Sequence, residues 1–153
     1  TQFVPGSHRS GRSPDGDTEW NGAEPHSILC NAGDVVLFRT GHLRRTFKKL
    51  PEGSACITDP LNGNSEGWPA VTAEVVDYLD QRGIRCVGID APSIGGVDEK
   101  QALMTYWALG SQGMVAVEFL TDVDKLPQRA YFLFAPVKIL NCHGGPGRAI
   151  ALY

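Results

Sequence analysis

The sequence lacks the patterns that mark several large classes of protein. Its four cysteines form no Cys-x-x-Cys pair, and no two of its four histidines are spaced as His-x-His or His-x-x-x-His. These absences argue against a disulfide scaffold, a zinc finger and any metal site built from one stretch of chain. No apolar run approaches the roughly 20 residues of a membrane-spanning helix. No signal-peptide pattern is visible either, so we expect a cytoplasmic protein.

An excess of positive charge is also lacking. The chain carries 14 Lys and Arg against 17 Asp and Glu, a formal net charge of -3. Because nucleic acids and anionic membranes are bound by basic surfaces, we expect neither as a partner. With 153 residues, 42% of them hydrophobic, the chain can bury one core. We therefore expect a single domain over residues 1–153 whose partner is a small-molecule substrate.

The apolar pattern predicts an α/β domain. Two main helices are predicted at about 71–82 and 99–109, and strands at 35–38, 84–89, 114–120, 131–139 and 149–153. The order strand, helix, strand with short links favours some parallel pairing, and hence a mixed sheet. Residues 1–33 and 51–70 are rich in Gly, Pro, Ser, Asp and Asn, and we expect loops there.

Glu118 has the most unusual setting of any polar residue. It stands within the otherwise apolar run MVAVEFL at 114–120, where burying an unpaired carboxylate would be costly. Strand alternation explains it equally well, because Val115, Val117 and Phe119 would then share one face. Glu118 would lie on the opposite face together with Ala116 and Leu120. The residues alone leave a functional role and simple alternation evenly balanced.

Four other polar residues are candidates, each with a plainer alternative. Asp90 and Ser93 follow an apolar strand, at the end where α/β folds collect ligand groups, although a turn explains the same letters. His8 lies in a loop where it could serve as a general base or be an ordinary surface histidine. Arg39 begins a basic cluster that is either a solvated face or a patch for a substrate carboxylate or a partner.

Several separate stretches resemble the cyclase-like hydrolases, the family that includes bacterial kynurenine formamidase. They are GDVVLFRTG at 33–41, GIRCVGIDAPSI at 83–94, EFLTDVDKLP at 118–127, and the later segments APVKI and GGPGRAIAL. The resemblance implies a swivelling β/β/α fold and a homodimer or higher homo-oligomer with active sites near a subunit interface. It also implies hydrolysis of an N-formyl or cyclic amide through a divalent metal, commonly zinc or manganese.

The start of the chain is similar to the family's first metal motif, with two replacements. TQFVPGSH looks like its Thr-His-x-Asp-x-Pro-x-His part, so His8 matches the final His, the catalytic acid/base. Gln2 stands where the family has a ligand His, and Val4 where it has a ligand Asp. The first ligand His would precede Thr1, and we expect a degenerate or shortened member that lacks the N-terminal part of the family fold.

A third replacement occurs in the second half of the chain. The family places a ligand His twelve residues before a ligand Glu. Glu118 matches that Glu, so the resemblance implies that it is a metal ligand, but Tyr106 occupies the position of the His.

These replacements predict a change of chemistry. Zinc and manganese sites need about three or four nitrogen or oxygen ligands from the protein, and valine has no lone pair to donate. We therefore expect a weakly bound metal or none, and predict that His8, Glu118 and Tyr106 form an acid/base set without a metal. Such a set suits a cyclisation, dehydration or isomerisation of a natural-product-like molecule better than a hydrolysis. The predicted substrate-binding residues are Gln2, Asp90, Ser93 and Arg39.

Two alternatives stay open. One is a non-catalytic relative that binds a ligand or pairs with an active subunit. The other is a fragment of a phytanoyl-type non-haem iron dioxygenase, to which PGSH and AGDVVLF are similar. That reading lacks a His-x-Asp pair and a distal His, and it gives no counterpart to the chain from Gly83 onward.

Overall fold

The computed structural model describes residues 2–3, 26–27, 33–49 and 52–153, which contain short strands and helices. The strands are β1 (Gln2–Phe3), β2 (His26–Ser27), β3 (Val35–Phe38), β4 (Cys86–Ile89), β5 (Val115–Val117), β6 (Tyr131–Pro136) and β7 (Gly147–Leu152). The helices are α1 (His42–Thr46), α2 (Ala55–Leu61), α3 (Ala73–Asp80) and α4 (Glu99–Ser111), with 3-10 turns at Glu52–Ser54 and Val123–Lys125. Within the described ranges no helix is long and apolar enough to cross a membrane.

The central sheet consists of β3, β4 and β5 in that order, and all three strands are parallel. Val36 lies opposite Val87, which in turn lies opposite Ala116. Parallel neighbours need long crossover connections. The helices α1 to α3 lie in the connection from β3 to β4, and α4 lies in the connection from β4 to β5. The carboxyl ends of the three strands therefore meet at one edge of the sheet.

The helices α3 and α4 cover one face of this sheet. Side chains alternate along each strand, and Val36, Val87 and Ala116 pack on this face against the main core. Val76 of α3 and Leu109 of α4 belong to the same core. Each large apolar side chain fully buried here contributes about 1.5–3 kcal/mol to folding.

The antiparallel hairpin of β6 and β7 covers the other face of the sheet. Phe132 and Phe134 pack in a second apolar cluster with Leu120. Glycine at position 88 leaves room on this side, because a Cβ there would lie 2.5 Å from Leu37 Cδ2 and 2.8 Å from Leu120 Cδ1, and both leucine side chains would have to shift. The packing of Leu37 and Leu120 over the middle strand therefore uses the space that the missing side chain of Gly88 leaves.

The α/β fold class and both main helices are confirmed. The helix predicted at 71–82 is α3 at Ala73–Asp80, and the helix predicted at 99–109 is α4 at Glu99–Ser111. Parallel and antiparallel pairing are both present, in separate sheets, because β1 pairs with β2 and β6 with β7. The strands predicted at 84–89, 131–139 and 149–153 are found at 86–89, 131–136 and 147–152. Apart from β1, β2 and residue 33, the predicted loop at 1–33 lies outside the described residues.

The loop predicted at 51–70 is wrong in part, because α2 occupies Ala55–Leu61. Pro60 lies inside this helix and lacks the N–H that would bond to the carbonyl of Cys56, four residues earlier. His42 takes that place, since its Nε2 lies 3.3 Å from the Cys56 oxygen and can donate to it. A contact from α1 thus satisfies the carbonyl that proline leaves free.

His42 is expected to make stability depend on pH. It is only 4% exposed, and burial lowers its pKa below the ordinary 6.5 despite the opposing hydrogen bond to Cys56. The unfolded chain therefore gains a proton at pH values where the folded protein keeps His42 neutral. We expect the free energy of unfolding to fall as the pH drops from 6.5 towards the lowered pKa, by up to about 1.4 kcal/mol per pH unit.

Urea denaturation between about pH 7 and pH 5 measures this effect. His42→Gln keeps a side-chain N–H donor but cannot titrate, so its stability should fall less steeply than that of the wild type. His143→Gln changes an exposed histidine on the hairpin and should keep the wild-type slope. A His42→Gln variant with the wild-type slope would show that another group causes the dependence.

The strand predicted at 114–120 is wrong beyond Val117. β5 ends there, and Phe119 has a φ of 60°, in the left-handed region that aromatic residues rarely adopt. This turn of the backbone is held by the Phe119 N–H, which donates to the carbonyl of Ala91 at 2.9 Å. The expected alternation is broken as a result. Val117 and Leu120 are both buried, and Glu118 stands after the strand, not within it.

Candidate active site

Polar residues directly follow all three parallel strands. Arg39 comes after β3, Asp90 after β4 and Glu118 after β5. Because the strands are parallel, these residues stand at the same edge of the sheet, where ligand groups collect in α/β proteins. Three of the predicted site residues are therefore placed on one edge.

Asp90 joins the loop after β3 to the end of β4. Only 5% of the residue is exposed, and its carboxylate accepts hydrogen bonds from the Thr40 N–H at 2.6 Å, the Thr40 hydroxyl at 2.7 Å and the Gly41 N–H at 2.7 Å. Gly41 has a φ of 72°, a conformation that glycine adopts at little cost. The observed role of Asp90 is to fix this loop, and contact with a substrate stays a prediction.

Glu118 and Tyr106 are in direct contact. The Tyr106 hydroxyl donates a hydrogen bond to Glu118 Oε1, and the Ile94 N–H donates to the same oxygen at 2.8 Å. Within the part of the chain that the structure describes, the second carboxylate oxygen of Glu118 accepts no hydrogen bond. One oxygen is therefore held in place while the other can accept a proton.

The environment of Tyr106 keeps its hydroxyl protonated. Burial raises the pKa of Tyr106 to about 12, and the hydrogen bond and negative charge of Glu118 act in the same direction. Hydrogen bonds from Ser93 and from the Ile94 backbone lower the pKa by smaller amounts. At neutral pH Tyr106 is therefore a hydrogen-bond donor and not an anion.

Ser93 lies beside this pair in the loop that follows β4. Its hydroxyl oxygen accepts a hydrogen bond from Trp68 Nε1 at 3.1 Å, and its hydroxyl lies 3.2 Å from the Gly96 carbonyl, to which it donates. Trp68 is buried in the main core, so the loop has a firm anchor. The structure thus brings together three of the predicted site residues: Ser93, Tyr106 and Glu118.

Arg39 lies elsewhere along the edge. Its exposed guanidinium donates to the Asp124 carbonyl at 3.5 Å, next to the ion pair of Arg44 with the Asp124 carboxylate at 2.7 Å. A pocket of about 400 Å³ lies at this turn, and neither Tyr106 nor Glu118 lines it. A substrate contact of Arg39 would therefore involve a different part of the edge.

The N-terminal predictions cannot be compared with the geometry. His8 and Val4 lie outside the described residues. Gln2 lies in β1 opposite Ser27, and only its backbone is described. The roles given to His8 and Gln2 therefore stay predictions.

Four residues that hold the site are not among those predicted from the sequence. Thr40 and Gly41 bind Asp90, and their position just after a strand is a signal that could have found them, since parallel strands end together. Trp68 and Ile94 give no such signal. Trp68 is far from Ser93 in the sequence, and Ile94 binds Glu118 through its backbone N–H.

A carboxylate and a phenol stand at the carboxyl edge of the parallel sheet, the edge at which α/β proteins bind their ligands. The chain belongs to the cyclase family: the family model described as "Putative cyclase" matches residues 18–95, just over half of the chain. The recognition made from the sequence motifs is confirmed.

Individual relatives agree with this family. Kynurenine formamidase of Bacillus cytotoxicus is 30% identical over 94 residues, 58% of this chain and 44% of that protein. A solved structure of isatin hydrolase bound to the product analogue thioisatinate has a TM-score of 0.62 at 26% identity, covering 82% of this chain and 47% of that one. Another, described as "potential metal-dependent hydrolase with cyclase activity", has a TM-score of 0.61 at 25% identity, covering 81% and 53%. The chain spans about half the length of these relatives.

Metal use is supported for the family, because two of the similar structures are described as metal-dependent hydrolases. The described residues of this chain do not fit a catalytic zinc or manganese ion. Within those residues no group of three or more His, Cys, Asp or Glu could hold a metal, and a catalytic zinc has about three protein ligands. At the candidate site one Glu118 oxygen already accepts two hydrogen bonds. Its neighbour Tyr106 is a protonated phenol, which has no charge to offer a cation.

Proposed function

We propose that this chain is the site-bearing part of an enzyme that acts on a cyclic or N-acyl small molecule. The proposal depends on one observation, the contact of Tyr106 with Glu118 at the carboxyl edge of the parallel sheet. Hydrolase relatives support the general class. The substrate and the reaction type are our inference from the residues at the edge.

The proposed chemistry assigns different tasks to the two residues. Glu118 accepts a proton from the substrate or from water through its second carboxylate oxygen, which no described residue occupies. Tyr106 holds the first oxygen and orients the carboxylate. With a pKa of about 12, Tyr106 is a poor general acid near neutral pH, so the proton returned to the product comes from another group. His8 is the proposed donor, as the resemblance implies.

The reaction that these groups support best is a cyclisation, dehydration or isomerisation. Each of these needs a base that removes a proton from the substrate and an acid that delivers one, either to another position of the substrate or, in a dehydration, to the hydroxyl that leaves as water; a carboxylate and a second acid/base group can do this together. Hydrolysis of an amide C–N bond requires a strongly activated water molecule, and a bound metal ion commonly activates it. The described residues do not provide the ligands for that metal.

A substrate panel with controlled metal content tests this proposal. The purified chain, treated with a chelator, is assayed against cyclic amides, N-formyl arylamines and polyketide-like compounds, and then again after addition of zinc or manganese. We expect turnover of at least one compound in the chelated protein, with bound metal well below one equivalent. Turnover that appears only with one equivalent of metal would contradict the proposal.

A ligand-binding protein without turnover is the second candidate. It is favoured by the two hydrogen bonds that Glu118 Oε1 accepts from Tyr106 and Ile94, since these reduce its capacity for chemistry. Binding of a panel compound without any product would favour this candidate. No observation on the described residues favours the dioxygenase alternative. The homo-oligomer and the cytoplasmic location stay predictions.

A further inference from the structure

One extra residue interrupts the pairing of β5 with β4 at the carboxyl edge of the sheet. At the start of β5 the Val115 N–H donates to the carbonyl of Arg85 at 2.9 Å. Beyond the end of β5 the Leu120 N–H donates to the carbonyl of Ile89 at 3.1 Å. The two donors are five positions apart in the chain, whereas the two acceptors are four positions apart. Because the hydrogen bonds of a regular parallel ladder are evenly spaced, the chain contains a one-residue β-bulge before Leu120.

Phe119 is the extra residue. Val117 and Leu120 pack in the same apolar cluster on the hairpin side of the sheet, although side chains three positions apart in a regular strand lie on opposite faces. Counting without Phe119 restores the alternation and places Glu118 on the opposite face, where α4 packs. Phe119 itself has a φ of 60°, and its N–H leaves the ladder and donates to the carbonyl of Ala91 at 2.9 Å.

The bulge is bound to the same loop that binds the Glu118 carboxylate. Ala91, which accepts from the Phe119 N–H, lies in the loop after β4. The Ile94 N–H of that loop donates to Glu118 Oε1 at 2.8 Å. The Phe119 ring packs edge-on against the ring of Phe47, with the ring centroids 6.0 Å apart and the planes at 86°. Both the backbone and the side chain of Phe119 are therefore held in place.

The conformation of Phe119 is one that a regular strand does not use. The left-handed region is unfavourable for phenylalanine and readily adopted by glycine. Residues remain in such conformations where the surrounding contacts enforce them. A β-bulge next to an active site changes the direction of a side chain, and here the adjacent side chain is that of Glu118.

We propose that Phe119 is a positioning residue, whose left-handed conformation forms a β-bulge that directs the Glu118 carboxylate to the Tyr106 hydroxyl and the Ile94 N–H. Phe119 acts through its backbone, and its ring fixes the bulge against Phe47. The inference rests on the proposed function, since it concerns the residue that we assign as the base. It holds for any substrate.

Two substitutions at this position separate the backbone conformation from the aromatic ring. Phe119→Gly and Phe119→Val both remove the ring, but glycine adopts the left-handed region freely, whereas β-branched valine strongly disfavours it. The readout is the ¹³Cζ signal of Tyr106 in tyrosine-labelled protein, assigned by its absence in Tyr106→Phe. The position of this signal in Glu118→Gln gives the shift that follows loss of the charged acceptor.

We expect Phe119→Gly to keep the wild-type Tyr106 signal, and Phe119→Val to move that signal most of the way to its position in Glu118→Gln. If both variants keep the wild-type signal, the bulge does not direct Glu118. If both shift the signal equally, the ring and not the backbone is responsible. Either result would overturn the proposal.

Deletion of Phe119 provides a second variant, for use if Phe119→Val does not fold. It joins Glu118 directly to Leu120 and gives a strand of regular register, in which Leu120 stays on the face of Val117. We expect the deletion variant to fold and to show the shifted Tyr106 signal. A folded deletion variant with the wild-type signal would contradict the positioning role.

The wild-type protein allows a third measurement that needs no variant. Scalar couplings across hydrogen bonds should connect the Phe119 nitrogen to the Ala91 carbonyl carbon and the Leu120 nitrogen to the Ile89 carbonyl carbon. A coupling from the Phe119 nitrogen to the Ile89 carbonyl carbon would show a regular strand and exclude the bulge.

The same variants distinguish the positioning role from the proposed function. For a panel compound that the wild-type chain converts, kcat of Phe119→Val should be at least about tenfold below that of Phe119→Gly, with a much smaller change in KM. A shifted Tyr106 signal in Phe119→Val, without turnover of any panel compound by the wild-type chain, would keep the positioning role and reject the catalytic function. Turnover together with an unshifted signal would do the reverse.

Discussion

Replacing Asp90 with alanine is expected to lower the free energy of unfolding by about 3 to 4 kcal/mol. The buried carboxylate accepts hydrogen bonds from both the N–H and the hydroxyl of Thr40 and from the N–H of Gly41. Hydrogen bonds to a charged acceptor are the stronger kind, and alanine would leave all three donors without this partner. The loop after β3 would lose its connection to the end of β4.

Chemical denaturation measures this loss of stability, and two further variants serve as comparisons. Asp90→Asn keeps one oxygen but turns an amide N–H₂ towards a backbone donor, so we expect a smaller loss of about 2 kcal/mol. Glu66→Ala removes an exposed carboxylate and should change stability by less than about 0.5 kcal/mol. If Asp90→Ala were as stable as Glu66→Ala, the three hydrogen bonds could not be the connection that the structure shows.

Replacing Glu118 with glutamine is expected to reduce turnover by about a hundredfold to ten-thousandfold, the usual contribution of a general base. The glutamine side chain has the same shape, and its amide oxygen can still accept from Tyr106 and Ile94. It cannot accept a proton at neutral pH. The loss should therefore fall on kcat for whichever panel compound the wild-type chain converts, with a much smaller effect on KM.

Two further variants distinguish the loss of the general base from a loss of its orientation. Tyr106→Phe removes the hydroxyl that orients Glu118 and should reduce kcat less than Glu118→Gln does, because the base itself is kept. Glu99→Gln changes an exposed carboxylate in the first turn of α4 and should leave both kinetic constants as in the wild type. If Glu118→Gln kept the turnover of the wild type, Glu118 could not be the general base of the proposed mechanism.

Much of the candidate site can be predicted from residues that stand beside apolar strands. Asp90 and Glu118 both attract notice because a carboxylate next to or within an apolar run is unusual, and both stand at the carboxyl edge of the sheet. The strand prediction around Glu118 is nevertheless wrong after Val117, because backbone hydrogen bonds to the loop after β4 turn the chain at Phe119. Periodicity cannot reveal a turn that depends on a distant carbonyl.

The sequence pattern does not predict the helices α1 and α2, and the reason is their length and composition. α1 has five residues and α2 has seven, too few to show a helical period. Pro60 in α2 argues against a helix on local grounds. It is tolerated because His42, from another helix, donates to the carbonyl that the missing N–H leaves free.

By itself the sequence determines the α/β class, the two main helices, the strand order along the chain and the family. These follow from apolar periodicity and from motifs whose residues are neighbours in the chain, so local burial patterns are enough to predict them. Only the tertiary structure decides that the Tyr106 hydroxyl and the Ile94 N–H both donate to one oxygen of Glu118. That convergence depends on how α4 and the loop after β4 pack at the edge of the sheet, and no local pattern specifies contacts between residues so far apart.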